Sequence, residues 1–402
     1  MRIRKKPVYF AVIFIALFFT FTNSAFALDF NGYLRSGVGS NSKGGDQLCF
    51  QAPGAKAKYR LGNECESYGE LSLSQRVEKQ KGGAYFRLAT LMAFVVDASQ
   101  DWEQFDPSWR EVYVESGKLF SGTMQGTKFW AGKKFYRRHD VHINDFYFWD
   151  NTGPGAGVED IDLGTTKLAY AFRRNVSADN RAITGHDIRW YELDTNQDGQ
   201  LTLGLNLLLS DNSQAGVKRE GGLQLHAVHL QDNLLGGYNK LALQYGEGAG
   251  STLNNSPDDS LDSSVKTYRL VEQLLVSPGA DWSGMMTMVY EKQRNIQEWY
   301  SFGVRPIYFF SEHFNLALEL GTDHVKPETS ETRKMTKLTI APQLSFERGF
   351  WARPLLRAFV TYASWNDAAR QAADPNNTIG INGVFGNETA GLTYGFQAEA
   401  WW

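Results

Sequence analysis

Gly391-Leu-Thr-Tyr-Gly-Phe-Gln-Ala-Glu-Ala-Trp-Trp402 ends the chain, and its alternation decides the fold class. Successive side chains of a β-strand point to opposite faces. One face here reads Leu392, Tyr394, Phe396, Ala398, Ala400 and Trp402. The other reads Thr393, Gly395, Gln397, Glu399 and Trp401. The first set suits hydrocarbon and the second suits water, which is the pattern of a transmembrane β-barrel strand. A terminal aromatic residue on such a strand is typical of bacterial outer-membrane barrels.

Working outward, the same pattern returns near the other end. Asp29–Ser36 sets Asn31, Tyr33 and Arg35 opposite Phe30, Gly32 and Leu34. Ser67–Ser74 sets Tyr68, Glu70, Ser72 and Ser74 opposite Gly69, Leu71 and Leu73. Tyr238–Tyr245 and Arg357–Trp365 alternate with more noise. Turn-rich stretches separate such runs: Asn41–Gly45, Gly153–Gly157, Asp194–Gly199, Glu247–Asp262 and Asp367–Asn377. Some are short and others long, as periplasmic turns and outward loops are. No linker or change of composition marks a second domain, so residues 28–402 are expected to form one all-β antiparallel barrel.

The first residues set the compartment. Arg2, Arg4, Lys5 and Lys6 precede an apolar run from Val8 to Phe21, and Ala25-Phe-Ala27 follows. That order predicts a secretory signal peptide over residues 1–27, cleaved after Ala27. An uncleaved anchor would need ~20 apolar residues, more than this run supplies. Aromatic residues make up 14% of the chain and mean hydropathy is mildly negative, as in a barrel whose lipid face uses every second residue. A net charge of −3 gives no sign of a nucleic-acid partner. Cys49 and Cys65, in the exported part, are expected to close a disulfide across a short loop. Such a closure is worth ~3 kcal/mol in the chain-entropy model. A metal site is the rival, but no histidine lies near the pair.

Several aromatics fall on the polar faces: Tyr33, Tyr68, Trp365 and Trp401, with Tyr238 beside Lys240 and Gln244. They could be rim residues, or the register could slip by one. They could also line a wet pore, stacking on the C–H faces of a pyranose while Arg35, Glu70 and Arg110 meet its hydroxyls. Alternation by itself leaves both readings open.

Longer motifs go further. The chain carries Phe30-Asn-Gly-Tyr-Leu-Arg-Ser-Gly37, Cys49-Phe-Gln51 and Lys58-Tyr-Arg-Leu-Gly-Asn-Glu-Cys-Glu66, then Asp101-Trp-Glu103 and Asp106-Pro-Ser-Trp-Arg-Glu111. Trp130-Ala-Gly-Lys-Lys-Phe-Tyr-Arg-Arg-His-Asp-Val-His142, Asp145-Phe-Tyr-Phe-Trp-Asp150 and Gly153-Pro-Gly-Ala-Gly157 follow. Shorter matches come at Gly236–Lys240, Gly303–Pro306, Arg353-Pro354 and Thr361–Trp365, before Trp401-Trp402. In these residues the chain resembles the maltoporin family of sugar porins, densely to about Leu163 and patchily afterwards.

The resemblance implies an eighteen-stranded barrel in the outer membrane, assembled as a homotrimer, with an inward-folded loop narrowing each pore. It implies a sugar-stacking path of Trp102 (from a neighbouring subunit), Tyr68, Tyr33, Trp401, Trp365 and Tyr238, the last standing where the family has phenylalanine. It implies hydroxyl-binding charges at Arg35, Arg60, Glu70, Arg110, Arg138 and Asp145, whose fork geometry suits vicinal hydroxyls. Tyr147 matches the constriction tyrosine, and Asp150 lies on the same loop. Retention of Arg138, Tyr147 and Asp150 argues for maltose and maltodextrins over sucrose-type disaccharides. The chain is shorter than typical members in its middle and near Ala368–Asn382, regions that map to outward loops.

Other chemistry is poorly supported. Asp194-Thr-Asn-Gln-Asp-Gly199 begins like a calcium loop, but Leu205 stands where the twelfth-position Glu would be. His139 and His142 read as loop histidines, and Gly153–Gly157 reads as a turn rather than a phosphate loop. No nucleophile beside a histidine and an orienting partner emerges, so an enzyme is not expected, nor any cofactor. The competing readings are a porin for sucrose or β-glucosides, and a general diffusion porin.

Overall fold

A computed structural model describes residues 28–97, 105, 107–176, 182–211 and 219–402. The expected signal peptide and Trp102 lie outside these residues. Eighteen strands, from Leu28–Asn41 to Ala390–Trp401, form one antiparallel sheet. Each neighbours the next in the sheet, and the last pairs with the first, from Tyr33↔Trp401 to Asn41↔Thr393. This closed 18-stranded barrel leaves no sheet edge, the condition for a β-structure to span a bilayer.

The final strand keeps the faces read from its sequence. Thr393, Gln397 and Glu399 are buried inside, while Tyr394 and Phe396 are exposed outside. One end of the barrel carries long connections, residues 42–65, 135–152, 249–265 and 366–389. The other carries short ones, including 163–166, 197–198 and 235–236. Long loops mark the extracellular end. Asp194–Gly199 lies at a tight hairpin whose strands end at Asn196 and begin at Gly199.

Two of the long connections fill much of the lumen. Residues 42–65 are closed by the Cys49–Cys65 disulfide, with the Cα atoms 5.9 Å apart. Asn63 Nδ2 donates to the carbonyls of Phe50 and Tyr59, and its Oδ1 accepts from Phe50 N–H. The Tyr59 ring lies over two glycines of the wall, where a Cβ on Gly303 or Gly321 would come within 1.9 or 2.0 Å of it.

Residues 135–152 cross the interior between Lys128–Lys134 and Gly153–Asp162. The Ile143 carbonyl accepts from Arg60 N–H and Arg305. The Phe148 carbonyl accepts from Gln244 and Arg269 on the facing wall. Phe146 meets Trp299 edge-on at 5.3 Å. Trp149 is sandwiched between His139 and His226, at 5.0 and 4.3 Å, where Gly204 leaves room.

This packing explains the noisy alternation of the later strands. Ala242, Val271, Met285, Ala317, Phe359 and Ala363 face inward yet are apolar, because they meet these two loops rather than water. The Gly153–Gly157 stretch, read as a turn, is instead part of the strand Gly153–Asp162. Its glycines are needed for close approach: a Cβ on Gly157 would sit 2.7 Å from the Trp130 indole nitrogen, and one on Gly155 would sit 2.2 Å from the Phe172 carbonyl.

The seat of Tyr59 makes a first prediction. Gly303→Ala should lower unfolding stability by about 1–3 kcal/mol through overpacking. Thermal unfolding in detergent checks this, and an unchanged midpoint would show that the ring is not seated there.

Candidate functional site

The site begins at the barrel seam, where the pairing of first and last strands sets Tyr33 beside Trp401. Their rings lie 6.4 Å apart at an interplanar angle of 24°. Tyr68, opposite Arg35 on the adjoining strand, brings its ring to 5.9 Å from Tyr33. On the other side of Trp401, His142 approaches edge-on at 6.2 Å and then meets Trp351 at 4.9 Å. Trp351 lies in the connection after Arg333–Ser345 and is 39% exposed. The aromatic run is therefore Tyr68, Tyr33, Trp401, then Trp351 across His142. Tyr238 sits at the same short-turn end of the barrel, with Lys240 Nζ 5.7 Å from its ring.

Trp365 does not join this run, which corrects the sequence expectation. It is the last residue of Leu355–Trp365, while Leu355 at the far end pairs with Glu399. The strand's length, roughly 30 Å, separates it from the seam aromatics. It is 4% exposed and packed against Phe50 and Phe385, at 5.7 and 6.1 Å, where it anchors two extracellular loops.

Beside the run lies a charged network. Arg35 binds Glu64 at 2.6 Å and also binds Glu66. Arg60 binds Glu64 at 2.8 Å and donates to the Tyr33 hydroxyl at 2.8 Å. Tyr33 in turn donates to Glu399 at 3.0 Å. Glu399 also receives Arg353 at 2.9 Å and Arg357 at 2.5 Å. Burial works against the charge of Arg60, but Glu64 and Glu399 outweigh it and hold its pKa well above the usual range. Burial, and then Arg60, push the pKa of His142 well below its usual range, so this imidazole is neutral beside Trp401.

The remaining expected residues divide. Tyr68 donates to Glu70 at 2.5 Å, and Arg110 and Tyr147 both lie within electrostatic reach of its hydroxyl. Plain alternation would put Arg110 on the lipid face with Val112 and Val114. A bulge intervenes, because Leu91 pairs with Glu111 but Met92 pairs with Trp109. A bulge re-aims a side chain in this way, and the Arg110 guanidinium comes to 5.4 Å from the Phe135 ring. Arg138 covers Phe135 at 3.5 Å and Tyr147 at 4.6 Å. Within the crossing loop Tyr147 and Asp145 are exposed while Phe146 and Phe148 are buried, so both point into the open half of the lumen. Asp145 stands 4.0 Å from Arg60. Asp150 is different: its carboxylate accepts from the backbone and hydroxyl of Thr152 and fixes the loop's own turn.

A family model for the LamB porin covers residues 28–402. The chain belongs to the LamB porin family. Solved structures share the fold at low identity. A BenF-like porin from Pseudomonas fluorescens Pf-5 is 11% identical with a TM-score of 0.54, over 93% of this chain and 99% of that one. The outer membrane protein opdK from Pseudomonas aeruginosa is 12% identical at 0.53, over 94% and 99%. OccAB1 from Acinetobacter baumannii is 10% identical at 0.53, over 93% and 96%. This LamB porin is thus a channel of the bacterial outer membrane, crossing it many times with strands, and not an enzyme.

Glu64, Glu399, Arg353 and Trp351 also border the candidate site, and motif reading did not single them out. For Glu399 a signal existed, since it shares the water face with Trp401. Glu399→Gln should leave Arg353 and Arg357 facing an uncharged partner inside the barrel. Removing one member of a buried pair costs about 3–5 kcal/mol. The variant should unfold at lower temperature and its reversal potential in a salt gradient should move toward anions. An unaltered reversal potential would place this network outside the conducting path.

Proposed function

We propose that this LamB porin passes maltose and maltodextrins by passive diffusion, sliding them along Tyr68, Tyr33, Trp401 and Trp351. The observation that carries the reading is the contiguous aromatic run bordered by guanidinium and carboxylate groups. A pyranose ring offers apolar C–H faces to the rings and hydroxyls to Arg35, Arg60, Glu70, Arg110, Arg138 and Asp145. Forked charged groups give two hydrogen-bond sites in fixed geometry, which suits vicinal hydroxyls. Several weak sites in sequence let a sugar enter and still leave. Tyr147, held under Arg138, sets the width of the passage, and Tyr238 receives the sugar at the exit. Three copies assemble, each lending Trp102 to the mouth of a neighbour's pore.

Planar-bilayer recording with maltohexaose and sucrose tests this. Maltohexaose should block the ion current saturably. Trp401→Ala or Trp351→Ala should weaken the block about tenfold, equivalent to ~1.4 kcal/mol. Trp365→Ala should leave the block unchanged and lower stability instead, because it removes a buried ring. Current untouched by either sugar would make this a general diffusion porin, and preferential block by sucrose would move the substrate to another oligosaccharide class.

The exported form is proposed to begin at Leu28, after removal of residues 1–27. N-terminal sequencing of protein purified from outer membranes should read Leu28-Asp29-Phe30. A start within residues 1–27 would mean the leader is retained.

A further inference from the structure

The outer wall of the barrel carries a carboxylate that its own chain does not neutralise. Val271, Gln273 and Leu275 of the strand Lys266–Val276 are buried inside, so Leu270, Glu272 and Leu274 point out toward the bilayer. Strand register sets Glu272 between Leu241 and Met288, both exposed and apolar. Asn239 Nδ2 donates to Glu272 Oε1, and no lysine, arginine or histidine joins them among the described residues. Other outward carboxylates hold a cation: Glu298 binds Lys292 at 2.7 Å, and Asp211 binds Arg174 at 3.0 Å. A carboxylate facing hydrocarbon is costly, and one amide donor leaves its charge unbalanced.

The position of the pair along the barrel sets which leaflet it meets. Asn239 lies opposite Leu274, two residues nearer the periplasmic end than Glu272. Their hydrogen bond therefore draws the carboxylate toward that surface. Trp282 and Tyr308, with rings 4.8 Å apart, mark the periplasmic headgroup level on the neighbouring strands. Between this level and Glu272 runs an apolar groove of about 250 Å³. Leu274, Val276, Trp282 and Met286 wall it. Gly284 pairs with Pro306 on its floor, where neither offers a long side chain.

We propose that Glu272 and Asn239 bind a phospholipid of the periplasmic leaflet whose headgroup ends in a primary ammonium. The ammonium donates to the Glu272 carboxylate and to the Asn239 amide oxygen, and one acyl chain fills the groove. Charge complementarity selects this headgroup. Glu272 repels an anionic one, and a trimethylammonium has no N–H to donate. The site faces away from the lumen and does not depend on which solute the pore carries.

The test is thermal unfolding of the purified full-length porin in neutral detergent, with added phosphatidylethanolamine, phosphatidylcholine or phosphatidylglycerol. Phosphatidylethanolamine should raise the midpoint by several degrees, and the other two lipids by less than half as much. Glu272→Gln should abolish that excess without changing single-channel conductance, and Asn239→Leu should reduce it. Glu298→Gln, at an outward position with its own lysine, should retain it. Equal shifts from phosphatidylethanolamine and phosphatidylcholine, no shift from any lipid, or an undiminished excess in Glu272→Gln would overturn the site. A shift from phosphatidylglycerol as large as that from phosphatidylethanolamine would overturn selection by the ammonium.

Discussion

The pairing of Tyr33 with Trp401 is the contact on which both barrel and site depend. In a bilayer no water can satisfy a free strand edge, so the first and last strands must hydrogen-bond to each other. The register of that closure puts Trp401 next to Tyr33 and Glu399 next to Arg35. The ring stack and the Arg–Glu network are consequences of where the chain seals itself. A register slip of one residue would turn the inward set of the last strand toward lipid and lose barrel face and site together.

The second constraint is what the lumen does with two long loops. Backbone carbonyls of Ile143 and Phe148 are held by Arg305, Gln244 and Arg269, so the crossing loop is clamped to the far wall. Ion pairs such as Arg269–Glu291 and Arg305–Glu319 satisfy the guanidiniums that do the clamping. These buried charges fix position more than they add stability, because desolvation offsets much of their attraction. With that half of the interior packed, the seam aromatics, Arg110, Arg138, Tyr147 and Asp145 border what remains open.

The sequence was legible where strands meet lipid on one side and water on the other. The terminal strand and the faces of Tyr33, Tyr68, Arg35 and Glu70 could be read from alternation because period two is a direct consequence of strand geometry. Alternation gives the face but neither height along the barrel nor what covers a side chain. Trp365 points inward as expected, yet Phe50 and Phe385 bury it at the opposite end from the seam. Arg110 is out of phase and reaches the interior through a bulge that no periodicity announces. Trp351 sits in a connection, where alternation does not apply, and motif reading had stopped at the adjacent Arg353-Pro354. The glycines of Gly153–Gly157 looked like a turn because their reason for being glycine, the Trp130 indole and the Phe172 carbonyl, lies on neighbouring strands.

A sugar path along the seam aromatics is tested most directly by a crystal structure of the porin with bound maltohexaose. Glucosyl rings should stack on Tyr33 and Trp401 and continue toward Trp351, with hydroxyls bonded to the flanking arginines and carboxylates. Sugar bound beside Trp365, or sugar bound away from the seam altogether, would contradict it.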